Sequence, residues 1–123
     1  MKASSPTTVW VDVCPVDDLV PERGAAALVG GHQVAVFLVD GELFALSNFD
    51  PYSRTFVLSR GIVGSRGDRL KVASPVYKQN FDLRTGQCLD DPSVKLPVYP
   101  VRVIDGRVCI GTLISNSNGG KRS

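Results

Sequence analysis

Val34-Ala35-Val36-Phe37-Leu38-Val39-Asp40-Gly41-Glu42-Leu43-Phe44-Ala45-Leu46 decides the fold. An apolar run and an alternating one face each other across Asp-Gly, and that dipeptide between such runs is among the strongest short-range hairpin signals. The device returns at Asp105-Gly106, between Val101-Arg102-Val103-Ile104 and Val108-Cys109-Ile110. Phe81-Asp82-Leu83, Arg84-Thr85-Gly86 and Gln87-Cys88-Leu89 outline a third hairpin. Three hairpins with almost no helical periodicity predict an antiparallel all-β domain, a small sandwich or open barrel.

Working outward, Val9-Trp10-Val11-Asp12-Val13 is β-branched and alternating, a strand stopped by Pro15. Val16 to Pro21 has room for one helical turn around Asp17-Asp18-Leu19. The small-residue run Gly24 to Val29 leads through a Gly30-Gly31 turn into Gln33 to Val39, two strands and a tight turn. From Ser47 to Arg69 the pattern dissolves into a long loop region broken only by Phe56-Val57-Leu58. A loop of that length inside a compact domain is usually functional. The expected organisation is a flexible N-terminus (1–8), one β domain (9–113) and a polar, glycine-rich, disordered tail (114–123).

Composition narrows the function by exclusion. The 123 residues are 43% apolar, enough for one core. The 14 basic and 12 acidic residues are dispersed and leave a net charge of +2, which argues against a nucleic-acid partner. No apolar stretch is long enough to cross a bilayer, and Met1 to Val9 lacks the apolar core of a signal peptide, so the expected location is cytoplasmic. Cys14, Cys88 and Cys109 are too scattered for a disulfide framework or a metal-ligand spacing and are expected in the core; His32 is expected in a turn. With one histidine, no serine in a nucleophile elbow and no glycine-rich phosphate loop opening a helix, the chain has no parts for acyl transfer or nucleotide binding.

Two segments carry a resemblance: Phe44-Ala45-Leu46-Ser47-Asn48-Phe49-Asp50-Pro51-Tyr52, and Val72-Ala73-Ser74-Pro75-Val76-Tyr77-Lys78-Gln79-Asn80-Phe81-Asp82-Leu83-Arg84-Thr85-Gly86. With Leu58-Ser59-Arg60-Gly61, they resemble the Rieske iron–sulfur domain from about Val9 to Gly111. Rieske domains hold a [2Fe–2S] cluster with a Cys-x-His pair on one loop and a Cys-x-x-His pair on another. In that frame Asp50 and Tyr52 stand at the first pair of ligand positions and Ser74 and Tyr77 at the second. Neither a serine nor a tyrosine hydroxyl ordinarily replaces thiolate or imidazole on such a cluster, so the resemblance implies a Rieske-like β domain without its cluster.

Asn48-Phe49-Asp50-Pro51 with Ser74-Pro75-Val76-Tyr77-Lys78-Gln79 is similar to the small subunits of assimilatory NAD(P)H-dependent nitrite reductases. That resemblance implies a cofactor-free, non-catalytic helper, bound to a large subunit that carries FAD, an iron–sulfur cluster and sirohaem and reduces nitrite to ammonium with NAD(P)H. Two other readings stay open, a β interaction module of another redox complex and, against the missing ligands, a [2Fe–2S] ferredoxin. The candidate partner contacts are Asp50, Tyr52, Ser74, Tyr77, Lys78 and Gln79. Tyr52 reads equally as a tyrosine closing its loop over the core. Ser74 and Tyr77 are expected to hydrogen-bond across the loops in place of the iron, and Lys78 to join Arg54, Arg60, Arg66 and Arg69 in a basic rim or to stand as a solvated charge.

Overall fold

The two Asp-Gly dipeptides fold as their chemistry requires. Asp40 and Gly41 have φ of 52° and 78°, Asp105 and Gly106 of 52° and 77°. Positive φ at both central residues is the type I′ geometry whose twist matches that of paired strands. These values come from a computed structural model that describes residues 7–114. The expected flexible start and tail therefore lie outside the described residues, apart from Thr7, Thr8 and Ile114 at their margins.

In chain order the strands are β1 (Thr7–Pro15), β2 (Ala25–Val29), β3 (His32–Val39), β4 (Glu42–Ser47), β5 (Phe49–Asp50) and β6 (Thr55–Phe56). They continue with β7 (Ile62–Arg66), β8 (Arg69–Ala73), β9 (Asn80–Asp82), β10 (Val101–Ile104) and β11 (Arg107–Ile114). Single 3-10 turns occupy Val16–Asp18, inside the segment expected to hold one, and Leu58–Arg60. All pairing is antiparallel, in sheets of order β1-β11-β10, β2-β3-β4, β5-β6 and β7-β8-β9. The pairing of β1 with β11 runs past the expected limits Val9 and Leu113, with Thr7 opposite Ile114. Among the described residues no helix is long and apolar enough to cross a membrane.

The β2-β3-β4 sheet is the central layer, and β3 and β4 are apolar on both faces for that reason. Ala35, Phe37, Val39, Phe44 and Leu46 point into one core with Leu58, Val72, Phe81, Leu83, Cys88 and Leu96. The intervening Val34, Val36 and Ala45 point into a second core with Leu19, Val29, Val108 and Ile110. Successive side chains of a strand face opposite ways, so a continuous apolar run marks a strand walled in on both sides. Burying one such side chain contributes about 1.5–3 kcal/mol relative to leaving it exposed.

Two expectations need correction. The region Ser47 to Arg69 is not one long loop: it contains β5, β6, the second 3-10 turn and β7, which pairs with β8 through a tight turn at Gly67, φ 63°. The strand at Ile62–Arg66 escapes the sequence pattern because none of its residues is fully buried, so nothing selects an alternation. The third hairpin forms, but its return limb is no regular strand. Phe81 bridges Cys88, Asp82 N–H donates to Gln87 O (2.8 Å) and Leu89 N–H to Asn80 O (2.7 Å), and there the ladder ends. Its turn needs Gly86, φ 79°, because a Cβ there would lie 2.1 Å from the Leu96 carbonyl oxygen.

Candidate functional site

Two hairpin loops carry five of the six candidate residues, and the sixth, Asp50, stands at the root of the first. The first, Pro51 to Arg54, joins β5 to β6; the second, Ser74 to Gln79, joins β8 to β9. Each is fixed by the residue at its root. Asp50, at the end of β5, is fully buried, and so is Ser74 just past β8. The Ser74 hydroxyl donates to Asp50 Oδ2 at 2.5 Å and ties the loops together. The same carboxylate accepts from Tyr52 N–H (2.9 Å) and the Ser53 hydroxyl (2.9 Å), so a buried charge is well partnered. Burial pushes the Asp50 carboxyl up, but the bonds from Ser74, Tyr52 and Ser53 outweigh it and hold it below the ordinary carboxylate range.

The second loop is held by its backbone. Ser74 N–H donates to Gln79 O (2.9 Å), Lys78 N–H to Ser74 O (3.1 Å) and Val76 N–H to Ser74 Oγ (3.3 Å). Its crest faces outward: Val76 and Lys78 are exposed, and Tyr77 is 60% exposed. The expected cross-loop tie therefore belongs to Ser74 with Asp50, and Tyr77 takes no part in it. Gln79 is half-buried, with its side-chain oxygen buried and unpartnered.

Tyr52 turns back over the domain. Its ring packs on the first core, 6.3 Å from the Phe81 ring centroid, and its hydroxyl donates to Asp91 Oδ2 (3.2 Å) and meets Cys88 Sγ at 3.6 Å. Burial, then the contacts with Cys88 and Asp91, raise its pKa far above that of a free phenol, so it stays a protonated donor. Tyr52 closes the loop over the core, and Asp91 is a partner the sequence did not announce. A second such residue is buried Asn48. Its amide donates to Gln33 Oε1 (3.4 Å) and Phe56 O (3.3 Å) and accepts from Ser59 N–H (2.7 Å), stitching the root of the first loop to the Leu58–Arg60 turn. Gly61 ends that turn under the second loop, where a Cβ would lie 2.4 Å from Ala73 O.

The five-membered basic rim is not assembled. Arg66 and Arg69 flank the β7–β8 turn, the end of β8 opposite Ser74, which lies about 16 Å away along the strand at roughly 3.3 Å per residue. Both are engaged there, Arg66 with Asp90 (3.1 Å) and Arg69 with Asp82 (3.1 Å). Arg60 sits in the 3-10 turn. Of the five, Arg54 and Lys78 alone lie in the two loops.

The sequence matches the Rieske-like [2Fe-2S] domain family over residues 9–111. It is 44% identical over 101 residues to the NADH nitrite reductase small subunit of Escherichia coli K12, covering 80% of this chain and 94% of that one. The chain belongs to the nitrite reductase small-subunit family. A crystal structure of a nitrite reductase small subunit from Mycobacterium tuberculosis is 49% identical and superposes with a TM-score of 0.84, covering 86% of this chain and 96% of that chain. The same domain also occurs inside a longer protein: 106 residues, 86% of this chain, are 36% identical to a segment making up 11% of the Klebsiella oxytoca nitrite reductase [NAD(P)H] large subunit.

The family description includes a [2Fe-2S] cluster, and the residues at the ligand positions do not fit one. Asp50 and Ser74 are hydrogen-bonded to each other where two ligands would have to diverge around iron. Tyr52 is committed to Asp91 and Cys88, and Tyr77 offers only a phenol. Cys88 and Cys109 are buried, Cys14 stands at the end of β1, and His32 opens β3 at the surface; none lies in either loop. Among the described residues no cluster of three or more His, Cys, Asp or Glu is arranged to hold a metal.

Proposed function

We propose that this chain is the small, cofactor-free subunit of a cytoplasmic NAD(P)H-dependent nitrite reductase that serves nitrite assimilation. It acts through contact with a large subunit bearing FAD, an iron–sulfur cluster and sirohaem, and carries no reacting group of its own. The similarity over nearly the full length of the Escherichia coli small subunit carries this reading. The Klebsiella large subunit supports the partnership, since two functions that must meet are there joined in one polypeptide. The cofactor-free state is supported by the donor chemistry at Asp50, Tyr52, Ser74 and Tyr77. The partner surface is the end of the domain formed by the two loops, with Tyr77, Lys78 and Gln79 as contacts and Asp50, Tyr52 and Ser74 as the frame beneath them, because binding residues concentrate on loops fixed to a rigid scaffold.

The deciding experiment is retrieval of tagged chain from nitrate-grown cells. The large subunit is expected to come with it, giving the absorption spectrum of a sirohaem protein, and NAD(P)H-driven nitrite reduction by the reconstituted pair should exceed that of the large subunit alone. The separated chain should be colourless and free of stoichiometric iron and acid-labile sulfide. Two iron and two sulfide per chain would overturn the cofactor-free assignment. Absence of the large subunit from the retrieved material would overturn the partnership.

A further inference from the structure

Asp50-Pro51-Tyr52-Ser53-Arg54 and Ser74-Pro75-Val76-Tyr77-Lys78 are one turn built twice. In each, proline follows the first residue and the N–H of the fifth donates to the carbonyl of the first, at 2.7 Å from Arg54 to Asp50 and 3.1 Å from Lys78 to Ser74. In each, the fifth residue is a cation with left-handed backbone, φ 61° at Arg54 and 67° at Lys78. The first residues are joined by the 2.5 Å bond between Ser74 and Asp50, so both turns start from one buried pin.

A left-handed conformation is costly for any residue with a Cβ, and glycine would fill both positions without that cost. Three other non-glycine residues of the described chain share it: Asp40 and Asp105, residues suited to their hairpin turns, and Glu22. Arginine and lysine have no such local reason. Lys78 Nζ reaches only the Pro75 carbonyl at 3.4 Å, and the four ion pairs among the described residues use Arg66, Arg69, Arg84 and Arg107. Arg54 and Lys78 both stand exposed. Left-handed backbone thus recurs at two equivalent places, each time under an exposed cation.

The geometry points to a two-cation recognition surface, Arg54 and Lys78 presented by the twin turns, for an acidic patch on the large nitrite reductase subunit; it rests on the partnership proposed above. Exposed Val76 and Tyr77, between the pin and Lys78, supply apolar contact beside the charges. Two cations on a chain of net charge +2 suit a small acidic patch on a protein better than a polyphosphate backbone.

The test is binding of the full chain to the isolated large subunit, measured across ionic strength for wild type, the Arg54→Gly/Lys78→Gly pair and the Arg54→Gln/Lys78→Gln pair. The glycine pair relieves the backbone and should raise Tm while weakening binding roughly tenfold at low salt, an opposition of sign that a folding defect does not produce. The glutamine pair keeps length and strain, removes charge, and should lose affinity to the same degree, with both variants converging on wild type near about 1 M salt, where the Debye length is only about 3 Å. Wild-type affinity and salt slope in both folded pairs would overturn the inference while leaving the partnership intact. Loss in the glycine pair alone would overturn it too, by assigning the effect to loop flexibility. If the wild-type chain does not bind the large subunit, the proposed function itself falls.

Discussion

The two loops begin and end alike and differ in between. Beyond its pin the first is turned into the domain, with Tyr52 packed on the core and Ser53 bonded to both Asp50 and Thr55. The second turns its crest out, exposing Val76, Tyr77 and Lys78, and is held mainly by backbone. Apart from exposed Arg54, side-chain chemistry in the first loop is therefore spent on structure, and in the second it remains available to a partner. A substitution at Asp50 or Tyr52 should accordingly cost stability, and one at Tyr77 affinity.

Asp50→Ala is the harshest trial of that division. It leaves the buried Ser74 hydroxyl without its acceptor and strips the first loop of its two bonds from Tyr52 and Ser53 to the same carboxylate, so a loss of about 2–3 kcal/mol is expected in denaturant unfolding. A loss below about 0.5 kcal/mol would mean that the backbone alone fixes the first loop. Acid should act on the same bonds. Because the folded pKa of Asp50 is depressed, its contribution is fully present above the unfolded value of about 3.9 and disappears as pH falls through the folded one. Unfolding measured from pH 6 down to 2 should show wild type losing more stability than Asp50→Ala; parallel curves would place the acid-sensitive group elsewhere.

Tyr52→Phe keeps the packing on Phe81 and removes the hydroxyl bonded to Asp91 and Cys88, so a fall in Tm of a few degrees is expected, with affinity for the large subunit unchanged. Smallest in stability is Tyr77→Ala, within about 0.5 kcal/mol of wild type as at other exposed positions, yet it should weaken binding to the large subunit. A Tyr77→Ala variant that binds normally would shift the contact off the crest of the second loop.

Much of this was legible in sequence because the signals are local. The Asp-Gly turns specify their hairpins within four residues, and the unbroken run from Val34 to Val39 already contains the double-sided burial of β3. Strand β7 was not legible, since Gly64 and Ser65 lie among half-exposed residues with no core face to impose a period. At the site, Asp50 and Ser74 could be placed in their frame, but not the bond across 24 positions that joins them. The same holds for Tyr52 and Asp91, 39 apart, and for the acids that take Arg66 and Arg69 out of the basic rim. The twin turns did leave a trace, the parallel between Asp-Pro-Tyr-Ser-Arg and Ser-Pro-Val-Tyr-Lys, visible on setting one loop against the other.

The register of β1 against β11 has a consequence for how such a domain travels. With Thr7 opposite Ile114, the first and last described strands leave the body as neighbours, about 5 Å apart as paired strands are. A longer polypeptide can enter and leave through that doorway without stretching any part of the sheets, as insertion into a host protein requires. The same closure spans nearly the whole described chain, so among the strand pairs it carries the largest loop-closure entropy. Detached, inserted or appended, the β framework need not change, and only the surface the loops present has to be matched to its host.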